Sequence, residues 1–105
     1  MTSCTCCFGT VANEHFNTRI ARRDLDRYRK NGPSATARLL RDLLVDAGAL
    51  DGLLLDIGAG IGALTFELLD RGVSRAILVD ASSSYLAAAS EEAAALLSRI
   101  MQAAK

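Results

Sequence analysis

Polar text with a few apolar points opens the readable part of the chain. Between Glu14 and Lys30 the apolar positions are Phe16, Ile20, Leu25 and Tyr28, which predicts one or two short surface helices. Residues 1–13 carry no periodicity and are expected to fray as a tail. Asn31-Gly32-Pro33 should stop the first helical stretch, because glycine permits the turn and proline discourages helix before it. Ser34 can cap the next helix, where Leu39, Leu40, Leu43, Leu44 and Ala47 recur at helical spacing and predict a stripe for burial. Gly48 suits the residue just past that helix, and Asp51-Gly52 marks a turn.

The pattern then changes. Leu53-Leu54-Leu55-Asp56-Ile57 is a short continuous run of the kind expected for a parallel strand covered on both faces. Gly58-Ala59-Gly60-Ile61-Gly62 follows as a glycine loop, and the text from Ala63 to Arg71 predicts a helix with Leu64 and Leu68 inward, closed by Gly72. Ala76-Ile77-Leu78-Val79 predicts a second buried strand that finishes on Asp80. Ser82 or Ser83 can cap a last helix with Leu86, Ala89, Ala93, Leu96, Leu97 and Ile100 along one face. Strand, glycine turn, helix, strand, helix is one βαβ unit plus the next helix, so the fold class is α/β. Three segments result: a Cys-containing tail over 1–13, N-terminal helices over 14–48, and the βαβα unit over 49–105.

Composition narrows the function classes. Half of the 105 residues are hydrophobic and 23% are charged, which fits one small globular domain rather than a disordered chain. Twelve Lys and Arg balance twelve Asp and Glu, so the surplus that nucleic-acid binding needs is absent. No apolar run reaches the ~20 residues of a membrane span, and the N-terminal text lacks a basic–apolar signal pattern, so neither a span nor a leader is expected. Three cysteines confined to Cys4, Cys6 and Cys7 make no disulfide framework, so a cytoplasmic location is expected. The charge is uneven: residues 14–41 hold eight bases against three acids, and residues 42–105 hold four against nine. Such an arm either packs its charges onto the acidic remainder or lies as a basic lid over an acidic substrate.

The candidate chemistry sits in Asp56-Ile57-Gly58-Ala59-Gly60-Ile61-Gly62 and in Asp80. A strand turning sharply into a helix needs residues free to take positive φ, and missing side chains let a ligand approach the backbone. Asp80 falls 22 residues after Gly58 at the end of the neighbouring strand, where an acid can accept hydrogen bonds from both hydroxyls of a ribose. Gly58-x-Gly60-x-x-Ala63 also satisfies the dinucleotide fingerprint. Asp56 argues against that ligand, since a carboxylate beside the loop repels a pyrophosphate and attracts a cationic end.

Leu54-Leu55-Asp56-Ile57-Gly58-Ala59-Gly60-Ile61-Gly62 resembles the first motif of class I S-adenosylmethionine-dependent methyltransferases, with its D-x-G-x-G-x-G core. Ala76-Ile77-Leu78-Val79-Asp80-Ala81-Ser82 resembles their second strand and ribose-binding acid. Arg27-Tyr28-Arg29-Lys30-Asn31-Gly32-Pro33 is similar to the N-terminal helices of the magnesium-protoporphyrin O-methyltransferase-like group. The resemblance spans residues 14–95 and implies a Rossmann-like fold with S-adenosyl-L-methionine as cofactor and a small-molecule methyl acceptor. It implies that Gly58, Ala59, Gly60 and Gly62 line the methionine end and that Asp56 holds the amino group. It places Asp80 on the ribose and Ala81 against the adenine. The family core has seven strands and this text supplies two, so the expectation is a methyltransferase truncated after the second strand and its helix. Such a chain would be inactive alone and prone to self-association through exposed apolar surface. The alternatives are a non-catalytic cofactor-binding or interaction remnant and a nicotinamide-nucleotide module.

Weaker signals complete the reading. Cys4, Cys6, Cys7 and His15 could offer soft ligands, but their spacing matches no structural zinc knuckle, so no metal is predicted. Tyr28 either touches a ligand or packs on Leu25. Phe8, Phe16, Phe66 and Tyr85 are too scattered to predict base stacking. No catalytic residue is assigned.

Overall fold

The computed structural model describes Val11, Asn13 and residues 16–103. Its elements run α1 (Thr18–Asn31), α2 (Ala35–Asp46), β1 (Leu53–Ile57), α3 (Ala63–Asp70), β2 (Arg75–Val79) and α4 (Ser83–Ala103). Cys4, Cys6, Cys7 and His15 lie outside the described residues, as do residues 1–10 of the segment read as a tail. Val11 and Asn13 are helical, and Asn13 accepts hydrogen bonds from the Ser83 amide and hydroxyl at 3.0 and 3.2 Å.

Each helix boundary has a local cause. Asn17 caps α1 by accepting from the Ile20 amide at 3.1 Å, and α1 stops at Gly32, whose φ of 78° reverses the chain. A single helix therefore takes up the stretch for which one or two were expected. Ser34 caps α2 through the Ala37 amide at 3.2 Å. The end of α2 closes with Ala49 N–H on the Leu44 carbonyl and Gly48 N–H on that of Val45, the paired bonds of a Schellman turn. Ser82 caps α4, accepting from the Tyr85 amide at 3.2 Å while its own hydroxyl donates to the Phe16 carbonyl at 2.6 Å.

The strands pair in parallel, with Leu53 opposite Arg75 and Ile57 opposite Val79. One face of the pair, carrying Leu54, Asp56, Ala76 and Leu78, is half-buried, and α3 packs against β2. The opposite face exposes Leu53, Leu55, Ile57, Ile77 and Val79. Coverage on both faces is expected, and among the described residues only one is covered: α3 packs on β2, α2 on α3, and α1 on α4. The leucine stripe of α2 is corrected in the same way: Leu39, Leu40 and Leu43 are exposed, since α3 is the neighbour against which α2 chiefly packs.

Burial concentrates where α1 crosses α4. Ala21 and Leu25 of α1 meet Ile61 and Ala88, with Tyr28, Ala63 and Tyr85 around them. Leu25 is fully buried, which contributes about 2–3 kcal/mol. The inward face of α4 holds Ala88, Ala89 and Glu92, whereas Leu86, Leu97 and Ile100 are exposed. Ion pairs accompany that facing. Glu92 is 5% exposed and receives Arg29 Nε at 2.9 Å, while Arg22 makes a two-pronged pair with Glu91 at 2.7 and 2.9 Å. Arg41 of α2 likewise reaches Glu67 of α3 at 2.9 Å. The basic arm is therefore folded onto the acidic remainder. Among the described residues no helix is long and apolar enough to cross a membrane.

Candidate functional site

The carboxyl ends of β1 and β2 deliver the glycine loop and Asp80 to one edge of the sheet. Gly58, Gly60 and Gly62 all take positive φ, at 72°, 59° and 87°, so the strand turns into α3 through left-handed backbone that L side chains rarely adopt. Stitches to β2 hold the loop. Gly58 and Ala59 both donate to the Val79 carbonyl, at 2.7 and 3.1 Å. Asp80 then clamps it: Oδ2 accepts from the Gly60 amide and Oδ1 from the Ser82 amide, each at 2.8 Å.

That clamp leaves the acid half spent. A carboxylate offers about four lone-pair sites, so one remains on each oxygen for a neighbouring diol. Asp80 has no cationic partner among the described residues, and neither has Asp56. Both acids are half-buried. Charges in that position favour donors or a cation supplied from outside.

A cavity of about 590 Å³ opens beside the clamp, and its lining includes Gly58, Gly60, Asp80 and Ala81. Four of the seven residues proposed from sequence thus share one wall. Side chains added at Gly58 or Gly60 would meet nothing within 4 Å, so bare backbone faces open space there. Gly62 is different. A Cβ at Gly62 would lie 2.8 Å from Leu78 Cδ2 and 3.0 Å from Phe66 Cε2, so its missing side chain makes room for the core. Ala59 spends its amide on Val79 and, like Gly62, stands outside the cavity lining.

Asp56 belongs to the covered face of the sheet rather than to the cavity wall. Its Oδ2 accepts from the hydroxyl of Thr65, a fully buried residue in the first turn of α3, at 2.7 Å. Thr65 was not legible as a partner, because a threonine inside a helix carries no signature of its own.

Sequence reasoning also missed the aromatic wall. Phe16 and Tyr85 lie 69 positions apart, yet their ring centroids stand 5.4 Å from one another with planes tilted by 31°. Both rings line the same cavity as Asp80. The Tyr85 hydroxyl donates to Asp24 Oδ2 at 2.6 Å, which fixes the ring from α1. Burial first, and then that bond to Asp24, push the Tyr85 phenol up to about 12. The hydroxyl therefore stays protonated and donating at neutral pH. Aromatic faces, bare glycine backbone and a carboxylate with free lone pairs make a wall suited to a base joined to a ribose.

No family model, curated protein or solved structure matches the chain.

Proposed function

We propose that the cavity at the ends of β1 and β2 binds the adenosine part of S-adenosyl-L-methionine, and that the chain supplies the cofactor-holding part of a small-molecule methyltransferase. The observation that carries this reading is the Asp80 clamp. One carboxylate holds the glycine loop through Gly60 and keeps one acceptor site per oxygen at the cavity wall. In this reading the two ribose hydroxyls donate to Asp80, Ala81 flanks the base, and Phe16 and Tyr85 supply its stacking surface. Gly58 and Gly60 let the ligand approach the backbone.

When bound, the cofactor supplies a methyl group on a cationic sulfur, open to in-line displacement by an O, N or C nucleophile. The chain's own residues bind and orient it. Asp56, a half-buried carboxylate without a described cationic partner, stands outside the cavity lining and would attract the ammonium end through water. The same charge disfavours NAD, because a pyrophosphate would sit at the start of α3 beside it. Binding and positioning, rather than acid–base catalysis, is the role that these side chains support.

Isothermal titration calorimetry of the chain with S-adenosyl-L-methionine and, separately, with NAD tests the proposal. Saturable heat with the first and none with the second is expected. Tighter binding of NAD would overturn it in favour of a nicotinamide-nucleotide module.

A further inference from the structure

A second cavity, of about 610 Å³, lies between the α1–α2 turn and the start of α3. Its lining includes Arg27, Arg38, Asp24, Pro33, Ile61 and Ala63. The glycine loop serves both cavities: Gly58 and Gly60 face the first, while Ile61 and Ala63 at its far end face the second. The Asp24–Tyr85 hydrogen bond joins their walls, since Asp24 lines one and Tyr85 the other.

What distinguishes this cleft is that it gathers two guanidinium groups with few protein partners. Elsewhere on the arm Arg22 and Arg29 pair with Glu91 and Glu92, and Arg41 with Asp42 and Glu67, whereas Arg19 has no carboxylate within ion-pair reach among the described residues but lies outside the cleft. Arg38 has no carboxylate within ion-pair reach among the described residues. One of its terminal nitrogens donates to the Asn31 carbonyl at 3.3 Å, which holds the group at the turn. Arg27 comes no nearer to a described carboxylate than 3.9 Å from Asp24 Oδ1, too far for a hydrogen bond. Asp24 is already taken, by the Tyr85 hydroxyl at 2.6 Å and by Arg23 at 3.4 Å.

Each guanidinium has five N–H donors in a planar fork, and nearly all of them here are uncommitted to protein. Two such forks beside apolar Ile61, Ala63 and Pro33 match an oxyanion carried on an organic body. We propose that this cleft binds the carboxylate or phosphate of a small organic acid, and that this group anchors the methyl acceptor. The second half of that statement rests on the methyltransferase reading, whereas the anion site does not.

Two titrations of the ¹⁵N-labelled full chain at low ionic strength test the site, one with inorganic phosphate and one with benzoate, read at the arginine side-chain resonances. Saturable shifts at Arg27 and Arg38 are expected with at least one probe, and the arm that saturates identifies the oxyanion. Arg38→Gln and Arg27→Gln should each weaken that binding about tenfold, the loss of a charge-assisted bond. Arg19→Gln, on α1 outside the cleft, removes the same charge and should change nothing. Equal weakening by Arg19→Gln and Arg38→Gln, or no saturation with either probe, would overturn the site. S-adenosyl-L-methionine affinity, measured separately, should survive Arg38→Gln and fall with Asp80→Asn. Saturable anion binding in a chain with no cofactor affinity would keep the site and overturn its assignment to a methyl acceptor.

Discussion

Gly60 and Gly62 share a loop and a left-handed backbone, but the space around them predicts opposite consequences for the same substitution. Alanine at either position adds the backbone penalty of a Cβ at positive φ, about 1–2 kcal/mol. At Gly60 that is the whole stability cost, because no atom lies within 4 Å of the added carbon. At Gly62 the carbon would stand 2.8 Å from Leu78 Cδ2 and 3.0 Å from Phe66 Cε2, and overpacking of this kind costs about 1–3 kcal/mol more. Leu78 can turn a methyl away, whereas Phe66 is 7% exposed and has little room, so a total of about 2–5 kcal/mol is expected for Gly62→Ala. Urea unfolding followed by far-ultraviolet circular dichroism measures both variants. With a slope of about 1 kcal/mol/M, the Gly62→Ala midpoint should fall by about 2 M or more, and that of Gly60→Ala by roughly half as much. Calorimetry should give the reverse order: Gly60→Ala loses cofactor affinity because its methyl enters the cavity wall. Equal midpoints for the two variants would refute the packing assignment. Undiminished affinity in Gly60→Ala would refute the ligand approach.

Three further outcomes are expected. Asp80→Asn can accept from one backbone amide but must turn its NH₂ toward the other, so stability should drop by about 1–3 kcal/mol and cofactor affinity by at least about tenfold, by urea unfolding and calorimetry. Arg29→Ala leaves the buried Glu92 with Arg99 at 3.6 Å and should cost about 2–4 kcal/mol, while Arg22→Ala at an exposed pair should cost under about 1, by urea unfolding. The folded state holds the Tyr85 proton past the ordinary value of 10.0, so this stabilisation is full below pH 10 and disappears as pH rises toward 12. At pH 10 the folded chain should therefore show little tyrosinate absorbance, and the urea-unfolded chain about half of its maximum.

The local grammar of the chain was legible wherever one residue decides a backbone conformation. Ser34 and Ser82 cap the helices that their positions predict, Gly48 sits just past α2, and both short apolar runs are strands in parallel register. The glycine loop and Asp80 meet because strand ends are neighbours in any parallel βαβ unit. What escaped was long-range. The facing of α4 turns Glu92 inward onto Arg29, with the exposed Glu91 beside it on Arg22, against an apolar periodicity that favoured Leu97 and Ile100. The Phe16–Tyr85 wall depends on how α1 crosses α4, which no spacing encodes. The division of labour among the glycines escaped too, since Gly58, Gly60 and Gly62 read alike until Leu78 and Phe66 are placed.

The central claim is that a nucleoside sits against Asp80, and amide resonances report on it directly. A ¹⁵N-labelled chain titrated with S-adenosyl-L-methionine should show its largest shifts at Gly58, Gly60, Asp80 and Ala81, with ring-current changes spreading to Tyr85 and no comparable change in α2. Saturation at a common affinity across those residues is the predicted result. No shift at Gly60 and Asp80 at millimolar cofactor, or shifts confined to another surface, would contradict the account.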